Sequence, residues 1–382
     1  MIALNLGQKL RGQKMSNEAR LFKTVARTIN KFLPAMLEAN RVSLAYLITG
    51  IIGSKEVQLR QVASKVVYPG KETSLVERFR RFLQNENIVV KIEFNPFLEL
   101  ILSGLSQTRL VLAIDSTKVG GGCICLMVSV VYKSRALPVC WVVFKGRKGH
   151  SSAEIQLTLM KTVQSLLPAD REVIILGDGE FDGSELVTWF EHQTSWRYVC
   201  RTANSILIRS QNEWIALADL DLTAGEETFL TDIVFTQTGQ VGPLNILVVW
   251  NKKEMEHWFF VTNFTDPKEA KTWYRKRFSI ETLFSDVKGR GFNLDKTRVW
   301  KPERVDRLIF AVAIAYIFTI FLGVELIVRG PFEKLFRTDR FYHSLFQLGL
   351  SHLNHLLKSC LPIPDLGPLP PPDSFEHVVL AC

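Results

Sequence analysis

Apolar residues recur every three or four positions through residues 1–90, which is the spacing of amphipathic helices. The predicted helices are Leu21–Leu37, Ser43–Ile52, Val57–Val67 and Ser74–Leu83, with a turn at Tyr68-Pro69-Gly70 between the last two. In the last helix the apolar side chains share one side, and Arg78 and Arg81 lie near the other. The pattern predicts a bundle of short helices with exposed cations, which either binds DNA or caps the next domain.

The pattern changes to runs of apolar and β-branched residues after residue 108, which indicates strands. Runs at 109–119, 123–133 and 136–145 are separated by three glycines and by a short polar turn, as in an antiparallel meander. The predicted elements that follow are a helix Ala153–Leu166, a buried strand Glu172–Leu176 and a helix Ser184–Gln193. The first of these helices would begin with a capping box between Ser151 and Glu154.

Residues 196–264 are again rich in strands, and they predict an inserted β-subdomain. A helix over Lys268–Lys288 should follow, then a basic loop, then an apolar helix over 305–328. The Pro-rich stretch 361–372 is typical of a flexible or polyproline end. The order of elements therefore predicts an α/β fold with a mixed sheet flanked by helices.

One segment, Leu308–Val324, is 17 residues long and carries no charge. Its length is at the lower limit for a membrane-spanning helix. Thr319 and Tyr316 interrupt it, and Glu325 follows at once. We favour a buried helix and no membrane contact, with a membrane protein built around this segment as the alternative.

Charge is distributed unevenly along the 382 residues, whose formal net charge is +9. Residues 1–110 contain 17 Lys and Arg against 8 Asp and Glu, and residues 271–310 contain 11 against 5. The remaining residues are therefore net acidic. Two basic blocks on an otherwise acidic body predict a polyanionic partner, most simply nucleic acid.

The six cysteines, at positions 123, 125, 140, 200, 360 and 382, form no CxxC pair. Several lie in apolar runs, so we predict reduced core thiols, with neither a zinc site nor a disulfide framework. The apolar run Met1–Leu6 is too short for a signal peptide. We therefore expect a cytoplasmic protein.

The stretch from Tyr274 to Lys288 contains neither glycine nor proline and follows Asp266-Pro267, which predicts a helix. At about 100° per residue, Tyr274, Arg277, Glu281 and Lys288 fall within about 60° of one another. A stripe of a phenol, two cations and one carboxylate suits a phosphate backbone. The alternative is a solvated helix face with pairs at i and i+4.

Two aspartates are candidates for the same site as Glu281. Asp115 lies inside an apolar strand, where a charge is costly unless something pairs with it. Asp178 follows the fourth strand, between two glycines that allow a ligand close to the backbone. In the predicted topology the first and fourth strands can lie side by side, which would bring the two carboxylates together.

Close carboxylates repel unless they share protons or cations, so Asp115, Asp178 and Glu281 match a hard-cation site with oxygen ligands. Two Mg²⁺ or Mn²⁺ ions about 4 Å apart can support in-line phosphoryl displacement. Each aspartate has a structural alternative, as a strand hydrogen-bonding residue or a turn residue. The competing carboxylates are Glu180 and Asp182, expected in a turn or at a helix start, and Asp286, expected on another helix face.

These pieces together resemble the DDE transposases of bacterial insertion sequences, in the subgroup with a Y-R-E-K signature. The resemblance covers roughly residues 109–323. It rests on AIDST, GDGEFDG, the β-rich segment ending WFFVTNF, the tetrad of Tyr274, Arg277, Glu281 and Lys288, and the basic loop and apolar helix after it.

The resemblance implies a ribonuclease H-like catalytic domain interrupted by a β-strand insertion, with Asp115, Asp178 and Glu281 binding the metal ions. Trp258 would stack on a base flipped out near the transposon end, with Trp250 as the other candidate and a core position as the alternative. Such enzymes act as a homodimer that holds two transposon ends. They cut the double-stranded DNA at these ends, form a hairpin and reopen it, and join the 3′-ends to target DNA. The predicted DNA-binding residues are Tyr274, Arg277, Lys288, Trp258, Arg290, Lys296 and Arg298.

The predicted domain organisation has five parts. They are a helical DNA-binding domain (1–105), a first part of the catalytic core (106–195), the β-insertion (196–265), a second part of the core (266–330) and a C-terminal helical region with the Pro-rich tail (331–382). The alternative functions are an inactive, transposase-derived DNA-binding protein and another nuclease of the same fold.

Overall fold

The computed structural model describes residues 15–105, 109–210, 213–331 and 343–375, together with residue 335. Its N-terminal helices are α1 (Asn17–Phe32), α2 (Glu38–Ser54), α3 (Leu59–Ala63), α4 (Glu72–Gln84) and α5 (Val90–Gly104). The four predicted helices are confirmed with shifted ends, and α3 is much shorter than the prediction. Helix α5 was not predicted, and it contains Pro96, a residue that usually argues against a helix interior.

One mixed sheet of ten strands runs through the protein. The strands are β1 (Arg109–Lys118), β2 (Cys123–Tyr132), β3 (Arg135–Lys145), β4 (Glu172–Gly177), β5 (Arg197–Thr202), β6 (Leu207–Ser210), β7 (Glu213–Ala216), β8 (Thr228–Phe235), β9 (Val241–Asn251) and β10 (Glu256–Thr262). Their order across the sheet is β3-β2-β1-β4-β5-β10-β9-β8-β6-β7. The predicted antiparallel meander of β1 to β3 is confirmed, and β1 lies beside β4 in parallel, as predicted.

The strands of the predicted insertion continue this sheet. Strand β5 pairs in parallel with β4, and β10 pairs antiparallel with β5. The β-rich segment 196–265 therefore shares its hydrogen-bonded ladder with the strands that carry the aspartates. The boundaries of the five predicted domains stay predictions.

The remaining helices come between strands in the chain or follow the last strand. They are α6 (Ala153–Leu166), α7 (Ser184–Gln193), α8 (Pro267–Tyr274), α9 (Ser279–Val287), α10 (Pro302–Val328) and α11 (Leu345–Lys358). The predicted capping box before α6 is wrong. Ser152, one residue later, caps the helix by accepting from the Ile155 amide, because Ser151 is hydrogen-bonded elsewhere.

The predicted continuous helix over Lys268–Lys288 is also wrong. Helix α8 ends at Tyr274, a 3₁₀ segment covers Arg275–Phe278, and α9 ends before Lys288. A 3₁₀ segment turns about 120° per residue, so the angles of a straight α-helix do not apply across it. The interruption therefore changes the directions in which the four side chains of the tetrad leave the backbone.

Helix α10 is the central helix of the core. It is apolar enough and long enough to cross a membrane, and it is the one such helix in the described ranges, but 83% of its most apolar window is buried inside the protein. It packs against α2, α11 and β3, and its buried Arg307 donates to the carbonyls of Ile88 and Leu83. The helix is therefore buried in the fold, as predicted, and it joins the N-terminal helices to the sheet.

The Pro-rich tail, predicted as a flexible or polyproline end, packs on the core. Ile363, Leu366 and Leu369 are buried, and the Tyr132 hydroxyl donates to the Pro370 carbonyl at 2.7 Å. Apolar side chains between the prolines anchor the tail to the core, and composition alone does not show this.

The described cysteines are all free thiols. The first four are buried, as predicted, whereas Cys360 is exposed because it lies just past α11, so it is no core thiol. Cys382 lies outside the described residues.

Candidate active site

Two carboxylates lie at the same level of neighbouring parallel strands. Ala113 of β1 pairs with Leu176 of β4, so Asp115 and Asp178 each lie two residues beyond a paired position. Adjacent strands are about 4.8 Å apart, which makes the two side chains neighbours. The predicted approach of the two aspartates follows from this register.

Asp115 is almost fully buried, at 2% exposure, whereas Asp178 is half-buried. Burial, and after it the nearby charge of Asp178, raise the pKa of Asp115 to about 6. The cations Lys148 and Arg277 and a hydrogen bond from the Ser116 amide oppose the rise in pKa. Ionised Asp115 is therefore costly here and is stabilised by any cation that approaches it.

Arg277 lies between the first aspartate and the glutamate. Its Nη1 is 3.7 Å from Oδ2 of Asp115, and its Nη2 is 2.5 Å from Oε1 of Glu281. The guanidinium side chain is 8% exposed and lies against the Phe278 ring. The Glu281 side chain is half exposed, so Glu281 lies at the mouth of the site while Asp115 lies at its floor.

Tyr274 lies beside this arginine, and Trp258 lies beside Tyr274. Tyr274 is buried, with its ring 4.3 Å from that of Phe260, and burial raises its pKa to about 12. The Trp258 ring is 6.5 Å from Tyr274, and the Arg201 guanidinium covers one of its faces at 4.3 Å. Trp258 is therefore beside the tetrad.

Trp250, the other candidate for base stacking, lies on the neighbouring strand β9. Its ring makes an edge contact with His257 at 4.8 Å.

Lys288 reaches the same strand as Asp115. Its Nζ donates to the hydroxyl of Thr117, two residues after Asp115, and burial lowers its pKa. The three predicted cations of the following loop, Arg290, Lys296 and Arg298, are exposed. Arg277 and Lys288 thus converge on β1 although the helix between them is interrupted.

Glu180 connects three segments of the site, whereas the sequence predicted only a residue in a turn or at a helix start. Its carboxylate accepts from the Ser116 hydroxyl at 2.8 Å and from the amide and hydroxyl of Ser151 at 2.8 and 2.5 Å. Its own amide donates to Oδ1 of Asp178. Glu180 therefore ties the strand of Asp115, the turn of Asp178 and the loop before α6 together.

That loop carries Arg147 and Lys148, which are exposed, and Lys148 is close enough to Asp115 to oppose the rise in its pKa. The sequence signal that could have indicated these two cations is the basic cluster KGRK at residues 145–148, between a strand and a helix.

The other two competing carboxylates have structural surroundings. Asp182 is held by a hydrogen bond with Thr202, and burial raises its pKa. Asp286 faces away from Glu281, as predicted, and its Oδ2 is 3.2 Å from Nε of Arg135, a residue of β3. Both side chains of that ion pair are 1–2% exposed.

The chemistry of Asp115 and Asp178 fits a divalent metal ion, because both supply oxygen ligands and their mutual repulsion would be relieved by a cation. Glu281 is instead paired with Arg277. Within the described ranges, no three Asp, Glu, His or Cys side chains lie together as a ready metal site. Glu281 would have to leave Arg277 to complete one.

A sequence model of the family described as "Transposase DDE domain" matches residues 106–318, which is more than half of the chain. No curated protein matches the chain. The matched range includes every strand of the sheet, both aspartates and Glu281.

Proposed function

The chain belongs to the transposase DDE-domain family, whose members cleave and join DNA, and from this premise we propose that it is the transposase of a bacterial insertion sequence. It would bind the double-stranded ends of its element, cut them and join the 3′-ends to target DNA. The tetrad of Tyr274, Arg277, Glu281 and Lys288 supports membership of the Y-R-E-K subgroup.

A ribonuclease H-like core is the fold we propose for this activity. The strand order β3-β2-β1-β4-β5, with β2 antiparallel to its neighbours and β1, β4 and β5 parallel, supports it. The strands that follow β5 in segment 196–265 would then be the insertion, joined to the core where β10 pairs with β5.

The observation that carries the proposal is the register of β1 and β4. It places Asp115 and Asp178 side by side, and the segment with Arg277 and Glu281 crosses the same strands. A buried carboxylate beside a second carboxylate is an unstable arrangement without a cation, and catalysis can use that instability.

We propose that Asp115, Asp178 and Glu281 hold two Mg²⁺ or Mn²⁺ ions. Bound there, the ions would activate a water or a 3′-hydroxyl and stabilise the leaving oxygen of an in-line displacement. The ion pair between Arg277 and Glu281 would keep the glutamate at the mouth of the site until the ions and DNA arrive.

The remaining site residues would position DNA. Arg277 and Lys288 are cations on either side of Glu281 in the chain, and Tyr274 lies beside Arg277, so the three can contact phosphates next to the cut. Trp258 would stack on a flipped base, displacing Arg201 or using its opposite face. The exposed Arg290, Lys296 and Arg298 would contact the backbone further along.

Three further parts of the proposal come from the resemblance. The cut would pass through a DNA hairpin that water reopens, a homodimer would hold two ends, and the protein would act in the cytoplasm on the bacterial chromosome.

Cleavage and joining of a duplex that carries the ends of the element test the proposal, with Mg²⁺ or Mn²⁺ present. We expect the wild type to give hairpin ends and joined products. Glu281→Ala should give neither while still binding the duplex, because the variant loses one metal ligand. Glu325→Ala is the matched control, since Glu325 also pairs with an arginine four residues away, Arg329, at 2.8 Å.

Other outcomes separate the alternatives. If the wild type binds the ends without cutting them, the chain is a DNA-binding protein derived from a transposase. If it cuts DNA but never joins the ends, it is a different nuclease. If Glu281→Ala cuts normally, the assignment of Glu281 as a ligand is wrong.

A further inference from the structure

A second cationic surface lies outside the site already described. It is a groove of about 490 Å³ between α3, α4 and the segment 297–304 that leads into α10. Five cations line this basic groove: Arg60, Arg80, Arg298, Lys301 and Arg304. Of these, only Arg298 belonged to the predicted DNA contacts.

The charge of the basic groove is not balanced within its walls. No Asp or Glu is among the described residues that line it. Arg80 pairs with Glu77, but both of these side chains are about half exposed, and such a pair contributes little. Like charges gathered along a groove repel one another, so a polyanion that enters it is bound favourably.

The indole of Trp300 lies in the same groove and is 67% exposed. Five cations interleaved with an exposed aromatic side chain favour a nucleic-acid strand over a small anion, because the ring adds contact area to the sugar and base edges.

The basic groove is attached to the strand that carries Asp115. The turn after β1 packs against segment 297–300 so closely that a Cβ on Gly121 would lie 2.3 Å from the Val299 carbonyl oxygen. Cys123 Sγ is also 3.4 Å from the Trp300 carbonyl oxygen. The groove therefore keeps a set position relative to the active site.

The strand geometry gives the separation. Gly121 is six residues after Asp115. Three of these steps lie in β1, at about 3.3 Å each, and three lie in the turn, at no more than about 3.6 Å each, so the two residues are at most about 20 Å apart. Base pairs along B-DNA are about 3.4 Å apart, so this edge of the groove lies within about six base pairs of the active site. A duplex that enters the site along this side passes the groove within one helical turn.

We propose that the basic groove binds the phosphate backbone of the donor-end duplex within about one helical turn inward from the cut. This inference rests on the proposed function for the identity of the duplex. It assigns Arg60, Arg80, Lys301, Arg304 and Trp300 to end binding, so the N-terminal helices and the catalytic part contact one DNA segment together.

The test is binding of an end duplex, about three helical turns long, by the wild type and by a variant with Arg60, Arg80, Lys301 and Arg304 each changed to alanine. We expect affinity to fall about tenfold or more, and the slope of log affinity against log salt to fall by about 0.9 per lost contact. Lys161→Ala, which removes an exposed lysine on α6, should leave both quantities unchanged.

Shortening the duplex locates the contact. As the duplex inward from the cut is shortened below about one helical turn, the difference in affinity between the wild type and the fourfold variant should disappear. The proposal would be overturned if the wild type and the fourfold variant had equal affinity and equal salt slope on the long duplex. It would also be overturned if their affinities still differed on the short duplex. Cleavage by the wild type is measured separately. If the wild type binds DNA through the groove but does not cut it, the proposed function is contradicted, whereas the assignment of the groove to DNA binding stands.

Discussion

The protein contains two arginine–carboxylate clusters that draw on neighbouring residues of one helical segment. Arg135 and Asp286 are both almost completely buried and 3.2 Å apart. Arg277 lies between Asp115, which is also buried, and Glu281, whose side chain is half exposed. One cluster is closed, whereas the other opens to solvent through its glutamate.

We propose that this difference separates a structural role from a chemical one. The closed pair is shielded from solvent, and it links β3 to α9. The open cluster has one arginine for two carboxylates, and Asp178 adds a third nearby negative charge. An excess of carboxylates that solvent can reach is where a metal ion and DNA can enter.

The largest expected effect compares two buried aspartates. Asp115→Asn should lower the cleavage rate by several orders of magnitude, because it removes a proposed metal ligand. Asp286→Asn, the matched change in the closed pair, should leave cleavage within a few-fold. Single-turnover cleavage of an end duplex measures both. Equal losses in the two variants would mean that the clusters do not differ in role.

A smaller effect is expected on stability from the closed pair. Arg135→Met leaves the Asp286 carboxylate buried without its cation, which should lower the free energy of unfolding by about 3–5 kcal/mol. Adding Asp286→Asn should recover part of the loss. Arg329→Met, in a pair whose arginine is 74% exposed, should cost under about 1 kcal/mol. Urea unfolding measures all of these, and a similar cost at both sites would remove the distinction.

The pH dependence of stability sharpens the comparison further. Burial raises the pKa of Asp286 to about 6, although Arg135 and Arg290 oppose the rise. The folded protein therefore holds this proton more tightly than the unfolded chain, and the free energy of unfolding falls as pH rises from about 4 to about 6. In Asp286→Asn the fall should be smaller by up to about 3 kcal/mol. Identical pH profiles for both proteins in urea unfolding would contradict this pKa.

The smallest expected effect concerns Glu180, a positioning residue. Glu180→Gln places an amide NH₂ against one of the hydroxyls that now donate to the carboxylate, so the Asp178 turn should shift. We expect about a tenfold slower cleavage with unchanged DNA binding. In the double variant of Glu180→Gln and Ser151→Ala, cleavage should be little slower than in Glu180→Gln alone, because both changes break the same hydrogen bond between the two residues. Additive losses would show that the two residues act independently.

The aspartate pair could be predicted from sequence because local patterns determine it. A charge inside an apolar strand and a second between glycines at a strand end are visible in one dimension. The meander and the next helix and strand then allow β1 and β4 to be neighbours. The same logic predicted Asp286 on a different face from Glu281, and the structure confirms it.

Other features depend on contacts that no local pattern contains. The link from Glu180 to Ser116 and Ser151 joins residues 64 and 29 positions apart. The 3₁₀ interruption at Arg275–Phe278 lies where Arg277 meets β1 and Tyr274 packs on Phe260. Helix propensity favours a continuous helix there, and tertiary packing overrides it.

The most direct test of the central claim, that Asp115, Asp178 and Glu281 hold the metal ions, is Mn²⁺ binding followed by electron paramagnetic resonance. The wild type, Asp178→Asn and Asp286→Asn are compared, each bound to the same pre-cut end duplex so that Mn²⁺ on the DNA is common to all. We predict that Asp286→Asn binds as many ions as the wild type, with the same affinity, and that Asp178→Asn loses tight binding. Unchanged Mn²⁺ binding by Asp178→Asn would contradict the account.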